Sequence, residues 1–130
     1  MENNQLKQLI DTSSRIILKV GSSLLINENN NDINYHWLKN FSKEIQSLTD
    51  KKKQIMIVSS GSVALGRKQL NLVKNLSLDE KQAAAAVGQI HLSHAWKEVL
   101  KSFNLESAQI LLAPDDTETR RKHLNAEQHY

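Results

Sequence analysis

Cysteine is absent from this sequence, which excludes a fold held together by disulfide bonds. Long apolar stretches are absent too, because the longest uninterrupted run, 83–87, has five residues, whereas a membrane-spanning helix needs about 20. Residues 1–5 contain neither the basic nor the apolar segment of a secretory leader. From these absences we expect a cytoplasmic protein that does not cross a membrane.

A strong excess of charge of one sign is also missing, since 17 basic and 14 acidic residues leave a net charge of +3. The two basic clusters, 51–53 and 120–122, are typical of solvated loop or helix faces, and we expect no nucleic-acid site there. What is present is a globular composition, with 39% hydrophobic and 24% charged residues. The 130 residues correspond to about one small domain, which is short for an enzyme that binds a nucleotide and a second substrate.

Apolar patterning predicts strands that alternate with helices. Apolar runs predict strands at 15–20, 54–59 and 108–113. The first of these runs is typical of a parallel strand covered on both faces. Helical spacing and strong helix formers predict helices at about 37–50, 62–70 and 79–102, and after 115. This order predicts an α/β fold, an open and mostly parallel sheet with helices on both faces.

Polar residues at the predicted helix starts are candidate caps. Ser60 or Ser62 can cap the short helix, because a hydroxyl there accepts a hydrogen bond from an otherwise unpaired backbone N–H. Asp79 begins the long helix, where its negative charge complements the helix dipole. Asp115 and Asp116 could bind Mg²⁺, but capping of the last helix explains both, so we interpret them as caps.

A lysine stands at the end of the first predicted strand, just before a turn of small residues. Lys19 precedes the Gly-Ser-Ser turn at 21–23, so an ammonium group and free backbone N–H groups would share one pocket. The second strand also ends in small residues, at 59–62. Because parallel strands end at one edge of a sheet, this pattern predicts a crevice for a transferring phosphoryl group.

Two common nucleotide-binding motifs are excluded. Segment 61–68 follows a strand as a P-loop does, but Arg67 and Lys68 stand where that motif requires Lys followed by Ser or Thr. No G-x-G-x-x-G occurs, so a Rossmann dinucleotide site has no support. Lys19 taken alone could also be a lysine whose stem lies along the sheet while its ammonium group reaches solvent.

Five segments in a fixed order favour a phosphate-binding role for Lys19 over that of a lysine that only reaches solvent. They are 19–23 (KVGSS), 58–67 (VSSGSVALGR), 85–89 (AAVGQ), 109–112 (QILL) and 124–126 (LNA). In this order and at these separations, the sequence resembles the amino acid kinase family, and within it the N-terminal half of the glutamate 5-kinases. The resemblance extends from about Arg15 to Ala126. The Gly-Ser-Ser turn favours the glutamate 5-kinases, since other members typically carry a Gly-Gly pair after the lysine.

The resemblance implies a three-layer α/β sandwich and ATP-dependent phosphorylation of the side-chain carboxylate of L-glutamate to glutamyl 5-phosphate, the first step of proline biosynthesis. It implies that Lys19 is catalytic and contacts the ATP phosphates together with Gly21 and Ser22. It also implies that Ser60 and Gly61 bind L-glutamate. The resemblance implies that ATP enters as its Mg²⁺ complex, and no resident metal is expected. It also implies that the helix containing 83–89 serves in packing and in assembly into a homo-oligomer.

The sequence also departs from the family pattern. Ala-Pro stands at 113–114 where members usually have Thr-Arg, and Ser62 stands where they have Ala. Members continue beyond the point matched by 125–126, with further glutamate-binding residues and the nucleotide-binding half. We therefore expect 1–14 to be an N-terminal extension and 15–130 to be the truncated N-terminal portion of an amino acid kinase domain. The alternative is a truncated, non-catalytic remnant that binds glutamate or regulates a partner.

Two pairs of residues are weaker candidates. His91 and His94 are three residues apart on a predicted helix, a spacing compatible with metal ligation, but no third ligand is evident and we do not expect zinc. Trp37 and Trp96 are most simply anchors that bury apolar area on their helices.

Overall fold

Two strands and five helices make up the described part of the chain, residues 2–73 and 75–111 of a computed structural model. In chain order the elements are α1 (Glu2–Thr12), β1 (Arg15–Val20), α2 (Ser22–Leu25), α3 (Tyr35–Asp50), β2 (Gln54–Ser59), α4 (Ser62–Gln69) and α5 (Leu78–Ser102). The predicted α/β class is confirmed, and both strands have the bounds that their apolar runs predict.

The two strands pair in parallel, and their register runs from Arg15 opposite Gln54 to Val20 opposite Ser59. A parallel pair requires a crossover connection, which α2, the following loop and α3 provide. Since the last residues of the strands are register partners, the chain leaves both strands at the same edge of the sheet.

The core lies on one face of this sheet. Leu38 and Ile45 of α3 and Leu92 and Val99 of α5 are buried there beside the inward-facing Val20 of β1. On the other face, three apolar side chains are accessible: Ile17 is 69% exposed, Met56 52% and Val58 49%. The apolar run of β1 predicts a strand covered on both faces. Among the described residues, packing covers only one face of the sheet.

Helices α4 and α5 touch backbone to backbone. A Cβ on Gly66 would lie 1.7 Å from the carbonyl oxygen of Ala84, and a Cβ on Gly88 would lie 1.6 Å from that of Ser62. Both distances are far below any real contact, so only glycine fits at the two positions. The alanine-rich segment of α5 thus presents its small face to α4, and Ala84 is fully buried there.

The helix starts differ from the sequence expectations at two places. Capping of α4 by Ser60 or Ser62 is wrong, because Gly61 is the N-cap and no side chain bonds the first turn. Helix α5 begins one residue before Asp79. Ser77 caps it, accepting a hydrogen bond from the Glu80 backbone N–H while the Glu80 carboxylate accepts one from the Ser77 N–H.

Two regions outside the core also differ. The predicted extension 1–14 contains a helix, α1, which has a mainly polar sequence and is not among the helices predicted above. The predicted strand at 108–113 is absent over 108–111, which form no ladder with β1 or β2, and a strand exists only through such pairing. Its last two residues and the predicted helix after 115 lie outside the described residues.

We expect Gly88→Ala and Gly66→Ala each to lower the free energy of unfolding by at least about 3 kcal/mol, because the added methyl group meets backbone atoms that cannot rotate away. Urea denaturation followed by circular dichroism measures this change. Gly21→Ala is the matched control: its φ is −77°, and its Cβ would meet nothing closer than Ser23 Oγ at 3.9 Å. Equal stability of all three variants would contradict the close contact.

Candidate functional site

Each strand ends in a short turn that leads directly into a helix. Val20 ends β1, and Gly21 is the N-cap of α2. Ser59 ends β2, and Gly61 is the N-cap of α4. Since the strands end in register, both turns and both helix starts lie at the carboxyl edge of the sheet, where the sequence predicts the crevice.

The two turns are bonded to each other. The Ser60 backbone N–H donates to the Val20 carbonyl oxygen at 3.1 Å, and the Ser60 hydroxyl lies 3.4 Å from the same oxygen. A Cβ on Gly61 would lie 3.0 Å from Ile26 Cγ1 and 3.8 Å from Ser22 Cβ. The structure therefore brings together the predicted glutamate-binding turn and the predicted phosphate-binding turn.

Gly61 has a backbone conformation that explains its residue type. Its φ is +118°, a region that residues with a Cβ rarely adopt, so the chain can make this turn only with glycine. After this turn, α4 packs against α5. No acceptor for the Gly61 N–H is found among the described residues.

Backbone donors are concentrated at this edge. The first N–H groups of any helix have no acceptor within the helix, and no side chain caps α2 or α4. In α2 these groups include the N–H groups of Ser22 and Ser23. Free backbone donors grouped at one edge of a sheet suit anionic groups such as phosphate or carboxylate.

Lys19 lies next to this edge, on the accessible face of the sheet. It is opposite Val58 in the strand register, and its side chain is exposed. Among the described residues, no salt bridge involves Lys19. Its ammonium group thus makes no ion pair within residues 2–73 and 75–111, and it lies on the face of the sheet that they leave accessible.

A hydrogen bond that the sequence analysis missed connects the site to the core. The Trp96 indole N–H donates to the Ser59 hydroxyl oxygen at 3.0 Å. Phe41 packs edge-on against Trp96 and stacks on Trp37, with ring centroids 5.8 Å and 4.8 Å apart. No local sequence pattern links Ser59 to Trp96, because 37 residues separate them. Both tryptophans are apolar anchors, as predicted, and Trp96 additionally bonds the end of β2.

The other candidates lie away from the turns. His94 forms an exposed pair with Glu98, with 3.4 Å between ring nitrogen and carboxylate oxygen. No group of three metal-ligating side chains is found in residues 2–73 and 75–111. A groove of about 520 Å³ lies on the outer side of α5, lined by Ala86, Ile90, Leu111 and others, and no turn residue contributes to it. Asp115 and Asp116 lie outside the described residues.

None of the helices in the described ranges is long and apolar enough to cross a membrane.

Comparison with known proteins defines the class. The sequence profile of the amino acid kinase family matches residues 14–129, and the chain belongs to this family. The match therefore begins after α1. It includes both strands, both turns, and the α4 and α5 helices that support them.

Similar proteins within the family are named glutamate 5-kinase. That of Paramagnetospirillum magneticum is 45% identical over 114 residues, which are 88% of this chain and 31% of that protein. Those of Gluconobacter oxydans and Rhodopseudomonas palustris (strain BisB5) are 44% and 49% identical over 113 residues, or 86% of this chain and 30% of each protein. The chain thus spans less than a third of the length of these relatives.

Proposed function

We propose that this chain takes part in the ATP-dependent phosphorylation of the side-chain carboxylate of L-glutamate, which gives glutamyl 5-phosphate in the first step of proline biosynthesis. The observation that supports it most directly is the contact between the two turns. One turn carries the residues that resemble a phosphate-binding loop and the other carries those that resemble a glutamate-binding loop. Two anionic substrates must meet for this reaction, and adjacent donor-rich turns suit that requirement.

In the proposed reaction, a side-chain carboxylate oxygen of glutamate attacks the γ-phosphorus of ATP. The bond between that phosphorus and the β,γ-bridging oxygen breaks, and ADP leaves with its electron pair. Both reactants are negative, so their approach is opposed by charge repulsion. Lys19 offsets the charge on the phosphoryl oxygens, and the backbone N–H groups of Gly21 and Ser22 bind the phosphates. Mg²⁺ arrives with ATP, and no residue of this chain is assigned to hold it.

Ser60 and Gly61 bind L-glutamate in this proposal. The Gly61 N–H is a donor for a carboxylate oxygen, and the Ser60 hydroxyl, now 3.4 Å from the Val20 oxygen, can turn to the ligand at the cost of one weak hydrogen bond. Neither turn contains an acidic side chain that would repel an anion.

We expect the 130-residue chain alone to release ADP far more slowly than the roughly 1 to 100 per second of kinases, because phosphoryl transfer requires both substrates to be held in position. A chimaera in which the chain replaces the matching 31% of the Paramagnetospirillum magneticum enzyme should restore glutamate-dependent ADP release. A coupled assay with ATP, Mg²⁺ and L-glutamate measures both. A folded chimaera without turnover would instead favour a non-catalytic, glutamate-binding role.

In this chimaera, Lys19→Ala should lower kcat by about 10²- to 10³-fold with little change in the KM for glutamate, because its charge acts on the phosphoryl group. Ser60→Ala should mainly raise the KM for glutamate, by roughly 3- to 10-fold, since it removes one substrate hydrogen bond. Steady-state kinetics separates the two effects, and the exposed Lys39→Ala in α3 is a control for loss of one positive charge. The reverse pattern would refute the assigned roles.

Homo-oligomer formation is part of the proposal, through the outer side of α5. Ala84 and Gly88 are buried against α4, whereas Ala86 is exposed and Ile90 is 72% exposed. We expect Ala86→Glu to shift a dimer toward monomer without unfolding the chain. Light scattering after size exclusion measures the mass, and Asn40→Asp adds the same charge at an exposed position of α3 as a control. A parent chain that is monomeric at all concentrations would rule out this association.

A further inference from the structure

Two consecutive hydrogen bonds connect the core of the protein to the backbone of the candidate glutamate-binding turn. The Trp96 indole N–H donates to the Ser59 hydroxyl oxygen at 3.0 Å. The Ser59 hydroxyl in turn donates to the carbonyl oxygen of Ser60 at 3.3 Å. Ser59 thus accepts from the core and donates to the turn, and its hydroxyl orientation is set by both partners.

The donor at the start of this connection is held firmly. Trp96 is only 9% exposed, and Phe41 packs edge-on against it with ring centroids 5.8 Å apart. Helix α5, which carries Trp96, is also fixed against α4 by the close approach at Gly66 and Gly88. The indole N–H therefore has a defined position relative to the end of β2.

The Ser60 carbonyl, at the other end of this connection, determines the direction of the Gly61 N–H. The Ser60 carbonyl and the Gly61 N–H belong to one peptide unit, which is planar and trans, so the two groups point in opposite directions. Fixing the carbonyl by a hydrogen bond fixes the direction of the N–H. In residues 2–73 and 75–111, no acceptor for the Gly61 N–H is found.

We propose that Trp96 and Ser59 are positioning residues that orient the Ser60–Gly61 peptide so that the Gly61 N–H meets a carboxylate of the bound substrate. The proposal rests on the proposed function, since it takes L-glutamate as the ligand. Neither residue touches the substrate, because Trp96 acts through Ser59 and Ser59 acts through the peptide. The expected contribution is that of one oriented hydrogen bond, about 3- to 10-fold in the Kd for glutamate.

A purely structural role for Ser59 would be to satisfy the buried indole N–H. A double variant distinguishes the two roles. Leaving one buried donor unpaired lowers the free energy of unfolding, whereas removing both partners lowers it much less. Ser59→Ala leaves the indole without an acceptor, and adding Trp96→Phe removes that donor. Under a structural role, the double variant recovers both stability and glutamate affinity. Under a positioning role, it recovers stability but binds glutamate as weakly as Ser59→Ala.

The test uses ¹⁵N-labelled 130-residue chain titrated with L-glutamate, with the Gly61 amide and Trp96 indole resonances as the readout. The parent and Ser59→Thr, which keeps the hydroxyl, should give the same Kd. Ser59→Ala should raise the Kd about 3- to 10-fold and shift the Trp96 indole resonance even without ligand. Ser93→Ala is the matched control, because among the described residues that half-buried hydroxyl on α5 donates only to Gln89 of its own helix.

The outcomes separate this proposal from the function on which it rests. If the parent binds glutamate and Ser59→Ala binds it equally well, the positioning role is wrong and the proposed function stands. If the double variant regains the parent Kd, the bond is structural and the positioning role is again wrong. If the parent gives no saturable shift with L-glutamate, the proposed function of this turn fails, and the positioning role fails with it.

Discussion

The backbone contact between α4 and α5 is the constraint on which the rest of the structure depends. Gly66 and Gly88 allow an approach that a single methyl group would prevent. The contact fixes the start of α4, because a Cβ on Gly88 would strike the carbonyl of Ser62, the first residue of that helix. The turn between β2 and α4 is therefore held at both ends, by the sheet on one side and by the helix crossing on the other.

The candidate site follows from this constraint together with the parallel register of the strands. Parallel pairing places the ends of β1 and β2 side by side, and the Ser60 N–H bonds the Val20 carbonyl across them. Gly61 then turns the chain with a positive φ, which leaves its N–H free of any acceptor among the described residues. The donors at this edge are thus a result of backbone geometry more than of polar side chains. That explains why small residues, rather than charged ones, dominate both turns.

Elements with a strong local signal could be predicted from the sequence, and those that depend on distant partners could not. Strands β1 and β2 have clear apolar runs, and α3 and α5 have long helical patterns, so their bounds follow closely. The strand expected at 108–113 fails over 108–111, because its apolar run contains no information about which strand would pair with it. The cap of α4 fails for a related reason: serine is a good cap by residue type, but the left-handed turn at Gly61 determines where the helix begins.

The same distinction applies to the candidate site. Lys19, Gly21, Ser22, Ser60 and Gly61 are recognisable because their segments resemble a family pattern. Their hydrogen-bond partners could not be predicted from local sequence. The bond from Ser60 to Val20 spans 40 residues, and that from Trp96 to Ser59 spans 37. The segments that form the turns, 19–23 and 59–63, contain one lysine and no acidic residue. Asp32, in the loop between α2 and α3, is paired with Lys68 in a salt bridge, which reduces the effect of its charge. The edge therefore offers donors to a ligand and little opposing negative charge, which supports the proposed binding of phosphate and carboxylate groups there.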